Sequence, residues 1–94
     1  MKLFYKSPFR QFVKKQSRSF QLVIEDEIEN IESNPDVGKA KKGDLSGRKV
    51  HKFRFNSQHF LVAYCLRKDE MTFYMIESHE NFYRNLKKYL KECI

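Results

Sequence analysis

The chain has 94 residues, 40% hydrophobic, 15% aromatic and 33% charged, with nineteen Lys and Arg against twelve Asp and Glu for a net charge of +7. That length suits a single domain spanning 1–94, and the apolar fraction belongs to a packed globule rather than a disordered tail. No stretch approaches the roughly 20 apolar residues that span a bilayer, and the start lacks a secretory apolar run, so a soluble cytoplasmic protein with no membrane association is expected.

Leu3, Phe4 and Tyr5 form a short apolar start between Lys2 and Lys6, read as a strand. Ser7-Pro8 reads as helix cap and first helical residue, because proline's missing N–H costs nothing there. Phe9, Phe12 and Val13 then recur at helical spacing, so a first amphipathic helix is expected to about Gln16. Ser17-Arg18-Ser19 supplies a turn with a new capping serine. Phe20, Val23, Ile24, Ile28 and Ile31 carry a second helix that ends at Ser33-Asn34-Pro35, since the residue before proline is driven out of the α region. So short a connection predicts an antiparallel helix hairpin. Residues 25–36 hold six acids and no base, which leaves nineteen bases against six acids, or +13, on the remainder. Such a polarised field favours a polyanion, nucleic acid above all, on one side of the molecule.

Residues 36–49 contain all three glycines and five bases without any period. They read as a basic mobile loop, either a plain surface connection or a strip along an RNA backbone, and they lack the order of a phosphate loop. A β-meander follows: Val50–Phe55, a turn at Asn56-Ser57-Gln58, His59–Leu66, a turn from Arg67 to Glu70, and Met71–Glu77. Lys52 and Arg54 alternate with Phe53 and Phe55 and so point to the opposite face. In the second strand Phe60, Val62 and Tyr64 share one side and Leu61, Ala63 and Cys65 the other, marking a central strand. Ser78-His79-Glu80 opens a last helix with Phe82, Leu86, Tyr89, Leu90 and Cys93 as its apolar stripe. The order is β-α-α-β-β-β-α, an α+β fold in which a helix hairpin packs on one face of a small, mainly antiparallel sheet and a C-terminal helix crosses the other. Cys65 and Cys93 have no metal-ligand spacing and no disulfide partner pattern, which fits a reducing compartment and predicts neither metal nor cofactor.

Four segments, Leu45-Ser46-Gly47, Lys52-Phe53-Arg54-Phe55, Phe60-Leu61-Val62-Ala63-Tyr64 and Ser78-His79-Glu80-Asn81-Phe82-Tyr83, together with the element order, resemble the RelE/ParE toxin superfamily of bacterial type II toxin-antitoxin systems. The closing HENFYR run is most similar to the ParE-like subgroup. The resemblance implies a RelE-like fold and a toxin neutralised by a cognate antitoxin. It also implies, for the members that cut mRNA on the ribosome, a cation on the first meander strand, where Arg54 stands. A His or Arg just past the third strand and an aromatic shortly after it match His79 and Tyr83 (or Phe82). The family often has glycine before that closing segment; this chain has Glu77-Ser78.

A metal-independent endoribonuclease must deprotonate a ribose 2′-OH, stabilise charge on phosphorus and protonate the leaving 5′-oxygen. His79 suits the proton transfer because an imidazole ordinarily titrates near neutrality. Arg54 and Lys52 suit the phosphate clamp. Tyr83, one helical turn beyond His79, serves as hydrogen-bond donor or base platform, or else as a core aromatic under the helix. Lys41, Lys42, Arg48, Lys49, Arg67, Lys68 and Arg84 are candidate RNA-backbone contacts. His51 is expected to pack against the helices and His59 to be plain surface. Glu77 either orients His79 or is solvated. An acidic or amphipathic antitoxin segment would cross the basic face. A gyrase-inhibiting toxin on the same scaffold and a non-catalytic basic RNA- or protein-binding module are the other readings.

Overall fold

The computed structural model describes residues 1–92. Its elements are β1 (Lys2–Tyr5), α1 (Ser7–Lys14), α2 (Arg18–Ser33), β2 (Lys39–Ala40), β3 (Lys49–Phe55), β4 (Gln58–Arg67), β5 (Glu70–Ser78) and α3 (His79–Glu92), with 3-10 turns at Pro35–Val37 and Gly43–Leu45. The five strands run in the order β1-β5-β4-β3-β2. β1 is parallel to β5 and every other pair is antiparallel. Helices α1 and α2 cover one face and α3 crosses the other, as the sequence pattern implied. Cys93, placed on the α3 stripe by its spacing, lies outside the described residues.

The period of two along each strand separates two cores. On the hairpin side Phe53, Phe60, Val62, Met71, Phe73 and Ile76 meet Phe9, Phe20, Ile24 and Ile31. Phe20 is the centre of this layer. Its ring stacks on Phe55 at 4.3 Å and 4° and lies 4.8 Å from Phe60, with Phe12 edge-on at 6.0 Å. On the α3 side Val50, Leu61, Ala63 and Met75 pack against Leu45, Phe82 and Leu86. Between Ala63 and Tyr64 the β4–β5 register shifts, so Met75 faces Ala63 while Phe73 faces Tyr64 and Tyr74 is left without an opposite residue. This bulge turns Tyr74 as well as Met75 toward α3.

Local chemistry explains most element ends and corrects several. The Lys6 amide donates to Phe73 O at 2.9 Å and its carbonyl accepts from Arg10 N at 3.1 Å, so Lys6, not Ser7, is the α1 cap. Ser7 and Pro8 then occupy the first two helical positions. Helix α1 stops at Lys14, earlier than its spacing suggested, and its end carbonyls are taken by glutamines: Gln16 Nε2 donates to Phe12 O and Gln21 Nε2 to Val13 O, both at 2.9 Å. Ser17 caps α2 as expected, its Oγ accepting from Phe20 N at 3.3 Å.

The stretch 36–49 departs most from expectation. It is tied into the fold by β2, which pairs Lys39 with Val50 and Ala40 with Lys49, and by Leu45, which is buried under α3. Its main anchor is the phenol of fully buried Tyr64, which donates to Pro35 O at 2.6 Å and accepts from Gly38 N at 2.9 Å. Gly38 is required by this approach, since a Cβ there would lie 2.5 Å from Tyr64 Oη and 2.8 Å from Cε1 of a ring with no room to move. Burial pushes the Tyr64 phenol above its ordinary pKa and keeps it a donor.

The β3–β4 turn also has two residues rather than three, because Phe55 pairs with Gln58. Asn56 and Ser57 sit at φ 51° and 65°, the left-handed conformation that such a hairpin demands.

Replacing Tyr64 by Phe strands the Gly38 N–H and the Pro35 carbonyl, and denaturant titration should show a loss of about 1–3 kcal/mol. Ser57→Gly, by contrast, relieves a left-handed serine and should raise stability by about 0.5–1 kcal/mol after glycine's own entropic cost, visible as a melting shift of a few degrees.

Candidate functional site

With Phe53 and Phe55 fixed in the hairpin-side core, Lys52 and Arg54 emerge on the α3 side of β3. Strand pairing then decides their neighbours. Lys52 stands opposite Leu61 and Arg54 opposite His59. In the next strand Leu61 faces Glu77 and Phe60 faces Ser78, so the following step along β5 brings the chain to His79 beside His59. There the strand ends and α3 begins, lifting Tyr83 one turn above His79.

An open groove of about 450 Å³ results, walled by Lys39, Lys41, Lys52, His79 and Tyr83 over a floor that includes Val50 and Leu61. The Lys41 ammonium lies 5.3 Å from the centre of the Tyr83 ring, and Tyr83 meets Phe82 edge-on at 5.1 Å. Tyr83 is half-buried against the α3-side core and also lines the groove. No described residue lining the groove is acidic. Glu77, the nearest acid by register, accepts from Asn85 Nδ2 at 3.1 Å instead of orienting His79. Such a cavity carries an uncompensated positive potential and suits a phosphodiester far better than a neutral ligand.

His59 is exposed as expected and lies near enough to Lys52 and Arg54 to feel their charge. Its pKa is lowered by partial loss of solvent and then by the charges of Lys52, Arg54 and His79, all of which oppose a further positive charge. A three-residue turn would pair His59 with Phe55 and aim it at the helices. The two-residue turn, signalled in the sequence by Asn56, aims it at the cations. Lys39 was missed because β2 has only two residues and no apolar alternation.

The other candidates scatter. Arg84 is exposed on α3 and donates to Asn81 Oδ1 at 3.0 Å, and Lys42 is exposed just past β2. Arg48 lies over the Tyr74 ring at 5.0 Å, near the opposite end of β3 from Arg54. Lys49 faces the helix side, where its ammonium pairs with Asp36 at 2.6 Å and holds that carboxyl below the usual range. Arg67 ends β4, paired with Glu70, so the turn expected from Arg67 to Glu70 is reduced to Lys68 and Asp69, about seven residues or ~23 Å along β4 from the groove. His51 is buried as expected, its Nε2 2.7 Å from Glu27 Oε1. Cys65 is half-buried.

The family model of the ParE-like toxin of type II bacterial toxin-antitoxin system matches residues 3–87. Among solved structures, the intact Escherichia coli RelBE toxin-antitoxin complex is similar at a TM-score of 0.60 with 10% identity, over 80% of this chain and 92% of that one. A conserved protein of Helicobacter pylori, HP0894, is similar at a TM-score of 0.49 with 19% identity, over 85% of this chain and 96% of that one. No curated protein sequence matches the chain.

The charges around His59 make a measurable signature. In an NMR titration its ring should protonate at lower pH than an ordinary histidine, and Lys52→Met or Arg54→Met should each move it back up. Because the fold disfavours the proton, stability should fall as pH drops through the ordinary imidazole range, where the unfolded chain protonates first.

Proposed function

The chain belongs to the ParE-like toxins of type II bacterial toxin-antitoxin systems, and from that premise we propose that it is a metal-independent endoribonuclease. In this proposal it cuts translated mRNA at the ribosome in the cytoplasm and is silenced by a cognate antitoxin. The supporting observation is that Lys52, His79 and Tyr83 line one groove, with Arg54 on the adjoining rung of the same sheet face.

A 2′-oxygen, once deprotonated, attacks the neighbouring phosphorus, and the bond to the 5′-oxygen breaks. The products are a 2′,3′-cyclic phosphate and a 5′-hydroxyl end. Arg54 and Lys52 hold the phosphoryl oxygens, the guanidinium through its fork and the ammonium as a point charge. His79, at the groove mouth, transfers a proton during the exchange. Tyr83 stacks on a base. That stacking displaces the Lys41 ammonium from the ring and frees it for the backbone phosphates. An acidic antitoxin segment would compete for the same cations, with affinity that falls as salt rises.

Induced expression followed by primer extension on a reporter mRNA tests the reading. Discrete in-frame breaks are expected. His79→Ala should reduce them by about a hundred- to ten-thousandfold, and Arg54→Ala by about a hundred- to thousandfold. Double-strand DNA breaks with intact mRNA would instead identify gyrase as the target. Salt-dependent RNA binding without cleavage on ribosomes would reduce the protein to a binding module.

A further inference from the structure

In-line transfer at phosphorus needs two proton-handling groups, one beside the attacking oxygen and one beside the leaving oxygen, and His79 can stand at only one of them. We infer that His59 is the general base of the reaction and that His79 is its general acid. This rests on the nuclease reading above.

The inference follows from which groups face the reacting site. β3 contributes Lys52 and Arg54, and the groove wall adds Lys39 and Lys41, which in their charged forms hold phosphate and accept no proton. β5 contributes Glu77, opposite Leu61, whose carboxylate is engaged by Asn85, while Ser78 pairs with Phe60 and belongs to the other face. α3 contributes His79 and Tyr83. His59 is the imidazole on that face besides His79, paired with Arg54 on β3 and one position beyond the Phe60–Ser78 pair that leads into His79 at the start of α3, close enough to feel its charge. Adjacent strands lie about 5 Å apart, so two imidazoles one strand apart can reach oxygens on opposite sides of one phosphorus. The His59 ring is exposed and makes no hydrogen bond within the described chain, which leaves its nitrogens open to a ligand.

Electrostatics suits the role. Before substrate arrives, partial loss of solvent and then the charges of Lys52, Arg54 and His79 lower the His59 pKa and so favour its proton-accepting form. The arriving phosphodiester offsets those charges and so raises the basicity of His59 when the 2′-proton must be taken. That proton passes from the 2′-oxygen to His59. The His79 proton passes to the departing 5′-oxygen. Each histidine ends in the form in which the other began, and solvent exchange resets the pair.

The test is single-turnover cleavage of a short mRNA on programmed ribosomes across pH, using wild type, His59→Gln and His79→Gln. Each variant's melting curve establishes that it is folded. A second mRNA carries sulfur in place of the bridging 5′-oxygen at the cut, a leaving group that needs no proton. His59→Gln should cut the rate about a hundred- to ten-thousandfold and abolish the fall in rate on acidification. The sulfur substrate should restore His79→Gln and leave His59→Gln slow. Cleavage by folded His59→Gln within about threefold of wild type, with the acidic fall intact, would overturn the inference while the nuclease reading stands. Rescue of His59→Gln by sulfur would overturn it by exchanging the two roles. Absence of cleavage by wild type would remove the nuclease reading and this inference with it.

Discussion

The packing of one strand holds the molecule's chemistry in place. Phe53 and Phe55 of β3 are clasped by the Phe20 ring and its neighbours, and successive residues of a strand must point to opposite sides. A slip of one position would drive Lys52 and Arg54 into an aromatic layer without partners, at a cost of several kcal/mol for each buried charge. The hydrophobic half of the protein thus orients the cationic half without touching a ligand.

Charge is sorted in the same way. Helix α2 lies over the hairpin-side layer and turns Glu25, Asp26 and Glu29 to solvent, while the groove cations lie across the sheet. Glu27 is turned inward to meet His51 at 2.7 Å and so joins α2 to β3. The groove on the α3 side is lined by lysines and by no described acid, so a polyanion is drawn toward it before any contact forms. Among the described residues no acid forms an ion pair with Lys52 or Arg54, which spares both from internal neutralisation.

What the sequence disclosed follows from periodicity. The apolar spacing of Phe20, Ile24 and Ile31 located α2. The alternation around Lys52 and Arg54 placed both on the face that carries His79. The reading failed where structure depends on long-range partners. β2 exists because Tyr64, 26 residues from Gly38, anchors the segment before it. No local pattern records that tie, so a basic loop was read as mobile and Lys39 was overlooked. His59 is exposed, as its place at the head of a strand suggests, but its nearness to Lys52, Arg54 and His79 rests on a strand register that no local pattern records. Lys49, Arg67 and Lys68 show the converse: a basic residue read from composition carries no address, and these three lie away from the groove.

Because β2 pairs with only Lys49 and Val50, residues 51–55 of β3 have no described strand along their outer side. Exposed backbone of this kind invites another chain to join the sheet, and natural proteins discourage the addition with charged side chains. Lys52 and Arg54 stand on that open margin. The two cations that face the groove thereby also guard against self-association, so substitutions meant to silence the groove trade away some of the chain's resistance to aggregation.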